Sequence, residues 1–209
     1  MKRITMLSIV ALLVTVAYSQ TNAEKLLSDV SAKIKSYSSM SVDFRFTMIN
    51  TDAGINETST GDIALKGNKF KMHTNEFGMT VWNDGKNQWS MIDGTGEVNL
   101  ESASDVDGGI SPSKIFRIHE EGMKSSLVSE TSSKAIVKLV PLEAGGDVKS
   151  VELNISKTNK SVEKATIFGS DGGRYIIEIS NLKTNLSMPD SEFVFSETKN
   201  PSVNIIDLR

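Results

Sequence analysis

The sequence contains no cysteine, and this absence excludes every chemistry that depends on a thiol. No disulfide can form, and no thiolate can act as a nucleophile or a metal ligand. A lipid-modified precursor is excluded as well, because it needs a cysteine at its cleavage site. Stability must therefore come from packing alone, and 209 residues are enough to bury a substantial core.

Positive charge is also scarce. The chain has 23 Lys and Arg residues against 26 Asp and Glu residues, a formal charge of −3. Lys2 and Arg3 lie in the first 19 residues, so the remainder has 21 basic against 26 acidic residues, or −5. Nucleic-acid binding requires clustered basic residues, so no nucleic-acid partner is expected.

No apolar run is long enough to span a bilayer, which takes about 20 residues. The longest run, Ile4–Ala17, follows two basic residues and ends at Ala17-Tyr18-Ser19. Ala17 and Ser19 are small residues, as the −3 and −1 positions of a cleavage site require. This order predicts a signal peptide over residues 1–19, cut near Ser19 and Gln20, and a single exported domain over residues 20–209. A permanent membrane anchor is the competing interpretation.

Catalytic motifs are incomplete. Ser111-Pro112-Ser113-Lys114 matches the S-x-x-K pattern of penicillin-recognising enzymes, but Lys157-Thr158 and Lys183-Thr184 are each followed by Asn, where the partner motif has Gly. A serine helix cap followed by proline explains the same four letters. The only histidines, His73 and His119, do not have metal-ligand spacing. We therefore expect no enzyme activity, no metal and no cofactor.

A helix is predicted at the start of the exported part. Thr21 and Glu24 have the spacing of a capping box, in which each side chain satisfies an exposed backbone amide of the other. Apolar residues then recur at helical spacing: Ala23, Leu26, Leu27, Val30, Ile34 and Tyr37. A helix with one apolar face should lie against a sheet.

Most of the remaining chain predicts strands. In Ser41–Ile49, apolar and polar residues alternate, which places one face against an apolar space and the other in water. Asp84-Gly85 and Asp171-Gly172-Gly173 are typical of hairpin turns. Further strands are predicted around Ile63, Phe70, Met79 and Trp89, and over Lys134–Val140, Val151–Ser156, Val162–Phe168, Arg174–Leu182, Glu192–Phe195 and Val203–Leu208. Short strands joined by turns indicate a mainly β fold, an antiparallel sheet that curls toward a barrel.

The stretch from Asp93 to Gly122 breaks this pattern. It is rich in glycine and acidic residues until Ser111-Pro112, which suits a helix start. Ile115 and Phe116 then give this short helix an apolar face. We interpret it as a lid, with an ordinary barrel plug as the alternative.

The order of these segments resembles the outer-membrane lipoprotein carrier (LolA) family from Ala23 to Asp207. The segments that resemble it are the Leu26-Leu27…Val30…Ile34 helix, Ser39–Phe44, Gly61–Lys66, Phe70–His73, Asn83–Lys86 with Trp89, Ser111-Pro112, Leu139–Pro141 and Phe193–Phe195. The resemblance implies an incomplete antiparallel barrel, with an N-terminal helix and short lid helices over its mouth. It implies a monomeric periplasmic carrier without catalysis, which takes acylated lipoproteins from an ABC-type lipoprotein-releasing complex of the inner membrane to an acceptor at the outer membrane.

The resemblance also implies an apolar hollow for acyl chains. The candidate lining residues are Phe44, Phe46, Met48, Leu65, Phe70, Met72, Met79, Trp89, Met91, Ile115 and Phe116. The family commonly places an arginine after the strand that corresponds to Ile63–Lys66, where it holds the lid shut. Here Gly67-Asn68-Lys69 stands in that place, so Lys66 and Lys69 are the candidate lid latch, although an ammonium group lacks the forked guanidinium geometry.

Two alternatives remain open at this point. Apolar alternation does not distinguish a filled core from a space that a ligand can fill, so the methionines and phenylalanines could be ordinary core residues. A lipid-binding sensor or regulatory domain of the envelope could share the same fold.

Overall fold

The computed structural model describes residues 22–105 and 122–209. Helix α1 covers residues 22–35. The twelve strands of the described residues are β1 Met40–Asn50, β2 Ile55–Lys66, β3 Lys69–Thr74, β4 Met79–Asn83, β5 Asn87–Ile92, β6 Glu97–Ser102, β7 Met123–Glu130, β8 Lys134–Pro141, β9 Val148–Ser156, β10 Ser161–Gly169, β11 Arg174–Thr184 and β12 Asn204–Asp207. A 3₁₀ turn at Asp190–Phe193 lies between the last two strands.

The strands form one sheet in the order β12-β6-β5-β4-β3-β2-β1-β11-β10-β9-β8-β7. The sheet is open and curled, so the predicted mainly β fold with an N-terminal helix is confirmed. All neighbouring strands are antiparallel except β12, which pairs with β6 in parallel. Strand β12 can pair in parallel because a long connection from β11, and not a hairpin, brings the chain to the edge of β6.

The strand register defines two faces of the sheet. Directly paired residues share a face, and side chains alternate between faces along each strand. The series Phe46, Ile177, Ala165, Leu153 and Val137 runs across five neighbouring strands on one face. We call this the inner face, because α1 packs on it, and the opposite side the outer face.

Helix α1 covers the half of the inner face formed by β8–β11. Ala23, Leu27 and Val30 are almost fully buried there against strand residues such as Val137 and Ile155. Burying one such aliphatic side chain contributes about 1.5–3 kcal/mol. The predicted helical face is therefore confirmed, while Thr21 of the capping box lies outside the described residues.

A second cluster lies on the inner face of β1–β4. Its buried members are Met40, Val42, Ile63, Leu65, Phe70 and Val81. Ile34, in the last turn of α1, and Tyr37, two residues after the helix ends, reach this cluster as well. One short helix thus joins the two halves of the curled sheet.

The third cluster lies on the outer face. Trp89, Val98 and Leu100 are buried there beneath Phe195 of the C-terminal segment. This segment contacts β3 and β4 through its 3₁₀ turn before it reaches β6. The prediction of a strand at Glu192–Phe195 is wrong, because this part of the chain crosses over the sheet and buries Phe193 and Phe195 individually without a ladder partner.

Two strands were not predicted. β6 lies inside the glycine-rich stretch that begins at Asp93, and its Val98 and Leu100 alternate with polar residues. β7 begins at Met123, directly after that stretch. The helix predicted to begin at Ser111-Pro112 lies outside the described residues.

Candidate functional site

A group of half-buried apolar side chains occupies the inner face beside the two core clusters. It comprises Phe44, Phe46 and Met48 of β1, Met72 of β3, Met79 of β4, and Tyr175 and Ile179 of β11. We call these seven residues the inner apolar surface. Five of them were predicted from the sequence, whereas Tyr175 and Ile179 were not.

Strand β1 supplies the centre of this surface. Phe44 pairs with Ile179, and Met48 pairs with Tyr175, so all four side chains emerge on the same face. Phe46 lies between them and stacks on Tyr175 with 6.4 Å between ring centroids and 16° between ring planes. The alternation in Ser41–Ile49 predicted the β1 residues, but only the register shows what β11 adds.

Two methionines extend the surface toward β5. Met72 pairs with Val81, and Met79 pairs with Ile92, whose side chain is 51% exposed. Phe77, in the turn before Met79, is 57% exposed. The apolar surface therefore continues to the end of these strands, where it meets solvent.

Leu65 and Phe70 belong to the core beneath this surface. They pair with each other across β2 and β3 and are 4% and 7% exposed. Both lie on the inner face, as predicted. Because they are almost fully buried, they pack beneath Met72 and do not form part of the accessible surface. Ile115 and Phe116, the remaining predicted lining residues, lie outside the described residues.

The prediction that Trp89 and Met91 share a space with Met72 is wrong. Met72 pairs with Val81, which pairs with Ser90, so the neighbours of Ser90 point to the opposite face. Trp89 is buried in the outer-face cluster, and Met91 packs against the same cluster. The signal was present in the sequence, because a hairpin at Asp84-Gly85 that pairs Trp82 with Trp89 places both on the face opposite Val81.

Lys66 and Lys69, the candidate lid latch, bind the C-terminal segment, while the predicted lid itself lies outside the described residues. Lys66 Nζ donates to Asp190 Oδ1 at 2.9 Å and to the Met188 carbonyl oxygen at 2.7 Å. Lys69 Nζ donates to Asp190 Oδ2 at 2.6 Å. The charge-assisted hydrogen bonds from Lys69 and Lys66 hold the pKa of the Asp190 carboxyl at about 2.

A polar pair stands at one end of the inner apolar surface. The Tyr175 hydroxyl donates to Asp171 Oδ2 at 3.1 Å, and the backbone amide of Gly173 donates to Asp171 Oδ1 at 2.8 Å. The hydrogen bond from the Gly173 amide is the main reason that the pKa of the Asp171 carboxyl is lowered. The hydrogen bond that Tyr175 donates to this carboxylate raises the pKa of the Tyr175 hydroxyl. The inner apolar surface is therefore bordered, at the start of β11, by a hydroxyl group and a carboxylate.

The outer face opposite Phe44 has a different character. A hollow of about 590 Å³ over β1, β2 and β11 is lined by polar side chains that include Asp43, Arg45, Asp62 and Glu178. Asn181 Nδ2 donates to Asp43 Oδ2 at 2.6 Å at its edge. Covering these charged groups with hydrocarbon would remove their hydration, so an apolar ligand suits the inner face better than this hollow.

Of the two histidines, the structure describes His73. His73 lies on the outer face, where its Nδ1 is 3.0 Å from Thr80 Oγ1 of the neighbouring strand. Among residues 22–105 and 122–209, no three acidic or histidine side chains are grouped so as to hold a metal ion. In the same ranges, no helix has the length and apolarity needed to span a membrane. The inner apolar surface, by contrast, presents half-buried apolar side chains from three neighbouring parts of the sheet.

Comparison with known proteins identifies the class. The family model described as outer membrane lipoprotein carrier protein LolA matches residues 13–173. The chain therefore belongs to this family, and membership suggests lipoprotein or lipid binding. No curated protein sequence matches the chain significantly.

Several solved structures resemble this chain. An uncharacterised conserved protein from Thermus thermophilus is 10% identical with a TM-score of 0.52, over 89% of this chain and 99% of that one. A LolA superfamily protein from Nitrosomonas europaea is 13% identical with a TM-score of 0.45, over 83% and 97% of the two chains. The lipoprotein LppX from Mycobacterium tuberculosis is 14% identical with a TM-score of 0.45, over 79% and 98%.

Proposed function

We propose that this protein is an exported carrier that shelters the acyl chains of lipoproteins on its inner apolar surface. Family membership supports a lipid or lipoprotein ligand, and the described structure supplies a surface for one. The observation that carries the proposal is that half-buried Phe44, Met48, Met72 and Met79 emerge together on the inner face.

The energetics of acyl transfer fit such a surface. Moving an acyl chain from a membrane into water costs about 0.8 kcal/mol per methylene, or roughly 12 kcal/mol for a chain of about 16 carbons. A carrier must offset most of that cost and still release its cargo. Methionine side chains are flexible and polarisable, so they follow an irregular ligand without a fixed fit.

The remaining parts of the proposal follow from the role of a carrier. We place the protein in the periplasm, between an ABC-type lipoprotein-releasing complex in the inner membrane and an acceptor at the outer membrane. It needs no cofactor and performs no catalysis, because energy for the transfer enters at the transporter. A signal peptide over residues 1–19 provides the export.

The test is copurification from periplasmic extract, with mass spectrometry of what is bound. We expect wild-type protein to retain acylated lipoproteins, and the Phe44→Asp variant to lose them while it keeps its circular dichroism spectrum. If Phe44→Asp does not fold, Met72→Gln provides the second variant. Retention of a non-acylated polypeptide, with no lipoprotein, would contradict the carrier and favour a sensor or regulatory domain.

A further inference from the structure

A second cleft lies between α1 and the edge strand β7, away from the inner apolar surface. Its volume is about 490 Å³, within the range of small-molecule sites, about 300–1,000 Å³. It is lined by Glu24, Leu27, Ser28, Ser31, Ala32 and Lys35 of the helix, and by Met123 and Ser125 of the strand. The lining therefore combines apolar side chains with three serine hydroxyls and the charged side chains of Glu24 and Lys35.

Ser125 is the unusual residue of this cleft. It is 5% exposed, and its Oγ is buried without a hydrogen-bond partner among the described residues. A buried hydroxyl without a partner costs about 1–3 kcal/mol. The side chain shares the inner face with its register partner Leu139, which is fully buried and offers no acceptor in its side chain.

The surroundings of Ser125 define which acceptor fits. The cleft is lined by one acidic and one basic side chain, Glu24 and Lys35, so its charges do not select an ion of either sign. Beside Ser125 the neighbours are the apolar Leu27, Met123 and Leu139, where an ionised group would lose hydration at a high cost. A neutral carbonyl oxygen accepts one hydrogen bond and costs less to bury. An acyl ester combines that carbonyl with a hydrocarbon chain, which matches the mixed lining.

We propose that the cleft between α1 and β7 binds the ester end of a diacylglyceryl group, with the Ser125 hydroxyl donating to an ester carbonyl. This inference rests on the proposed function and deepens it, because it assigns the polar end of the lipid to a residue. Hydrocarbon bound on the inner apolar surface and an ester held at Ser125 are separate contacts on the same inner face of the sheet.

The test compares two lipids that differ only in the carbonyl. Dioctanoylglycerol has ester carbonyls, and dioctylglycerol has ether oxygens in the same positions. Calorimetric titration of the purified full chain should give tighter binding of the ester by about five- to tenfold, the value of one neutral hydrogen bond. Ser125→Ala should remove this preference, with no loss of thermal stability because the hydroxyl has no partner to lose.

Ser126→Ala is the matched control, because Ser126 pairs with Lys138 on the outer face of the same strand. It should keep the preference for the ester. The inference is overturned if the wild type binds both lipids equally or if Ser125→Ala keeps the preference, and lipid binding itself then still supports the proposed function. Absence of binding by either lipid overturns both.

A diacylated lipopeptide then identifies the source of the ester. If it displaces dioctanoylglycerol from the wild type, and Ser125→Ala weakens it by a similar factor, the acyl ester of a lipoprotein is the ligand. If dioctanoylglycerol binds with the Ser125-dependent preference and the lipopeptide does not compete, the site holds an ester of a membrane glycerolipid.

Discussion

Phe44 packs directly against Gly61 on the neighbouring strand, where a Cβ atom on the glycine would lie 2.7 Å from Phe44 Cζ. The same Cβ would overlap the carbonyl oxygen of His73 on the next strand. Glycine within a strand commonly marks a bend or a close approach of backbone, and Gly61 is such a close approach. The central aromatic ring of the inner apolar surface thus depends on a residue without a side chain.

Replacing Gly61 by alanine should therefore destabilise the protein. The new methyl group has to displace both the Phe44 ring and the β3 backbone, and such overpacking costs about 1–3 kcal/mol. Urea denaturation monitored by circular dichroism measures the free energy of unfolding. Gly146→Ala is the control, because no atom lies within 4 Å of its added Cβ and its φ is compatible with alanine. Equal stabilities for the two variants would contradict the packing described for Phe44.

Asp190 should make stability depend on acid pH. Its pKa is about 2 in the folded protein, against 3.8 ordinarily, so its contribution is fully present above about pH 4 and disappears as pH falls toward 2. Asp190→Asn should lower the melting temperature at pH 7, and the difference from wild type should shrink between pH 4 and pH 2. Glu192→Gln, on the same 3₁₀ turn, should show a smaller effect. A difference that is independent of pH would mean that the two lysines do not hold Asp190 in solution.

The C-terminal segment should be part of the core and not a loose tail. Phe195 meets Trp82 edge to face with 5.5 Å between ring centroids, and only 6% of its surface is exposed. Phe195→Ala should cost about 3–5 kcal/mol and shift the tryptophan emission to the red, because Trp82 and Trp89 gain access to water. Val194→Ala, one residue away and 36% exposed, should cost about 1 kcal/mol or less. Unchanged emission in Phe195→Ala would contradict the outer-face cluster.

Two methionines on opposite faces of the sheet allow a comparison of ligand binding at each face. Met79 lies on the inner face and Met91 on the outer face of adjacent strands, and both are half-buried. Met79→Gln should weaken binding of a fluorescent fatty acid roughly fivefold or more, because the amide loses hydration against the hydrocarbon. Met91→Gln should reduce stability with little effect on affinity. A larger loss of affinity in Met91→Gln than in Met79→Gln would place the ligand on the outer face.

The sequence predicted the parts of the fold that depend on local periodicity. The apolar face of α1 and the alternation in β1 follow from spacing along a single element, and the Asp84-Gly85 turn follows from the conformational freedom of glycine, whose φ there is 91°. These features require no knowledge of which strands are neighbours.

The errors arose where the register between strands decides the outcome. Alternation within β5 alone shows that Trp89 and Met91 share a face, but it does not show which face, and the neighbouring strand β4 has apolar clusters on both of its faces. The outer cover comes from Phe195, more than one hundred residues away in the sequence. β6 was missed because the acidic residues around Val98 and Leu100 looked like part of a flexible segment.

The central claim, that hydrocarbon binds on the inner face of the sheet, is tested most directly by photolabelling. A fatty acid with a diazirine on its acyl chain would be bound, irradiated and located by peptide mass spectrometry. We predict labels on Phe44, Met48, Met72 and Met79, and none on Trp82 or Met91. Labels confined to the outer face, or no saturable labelling at all, would contradict the account.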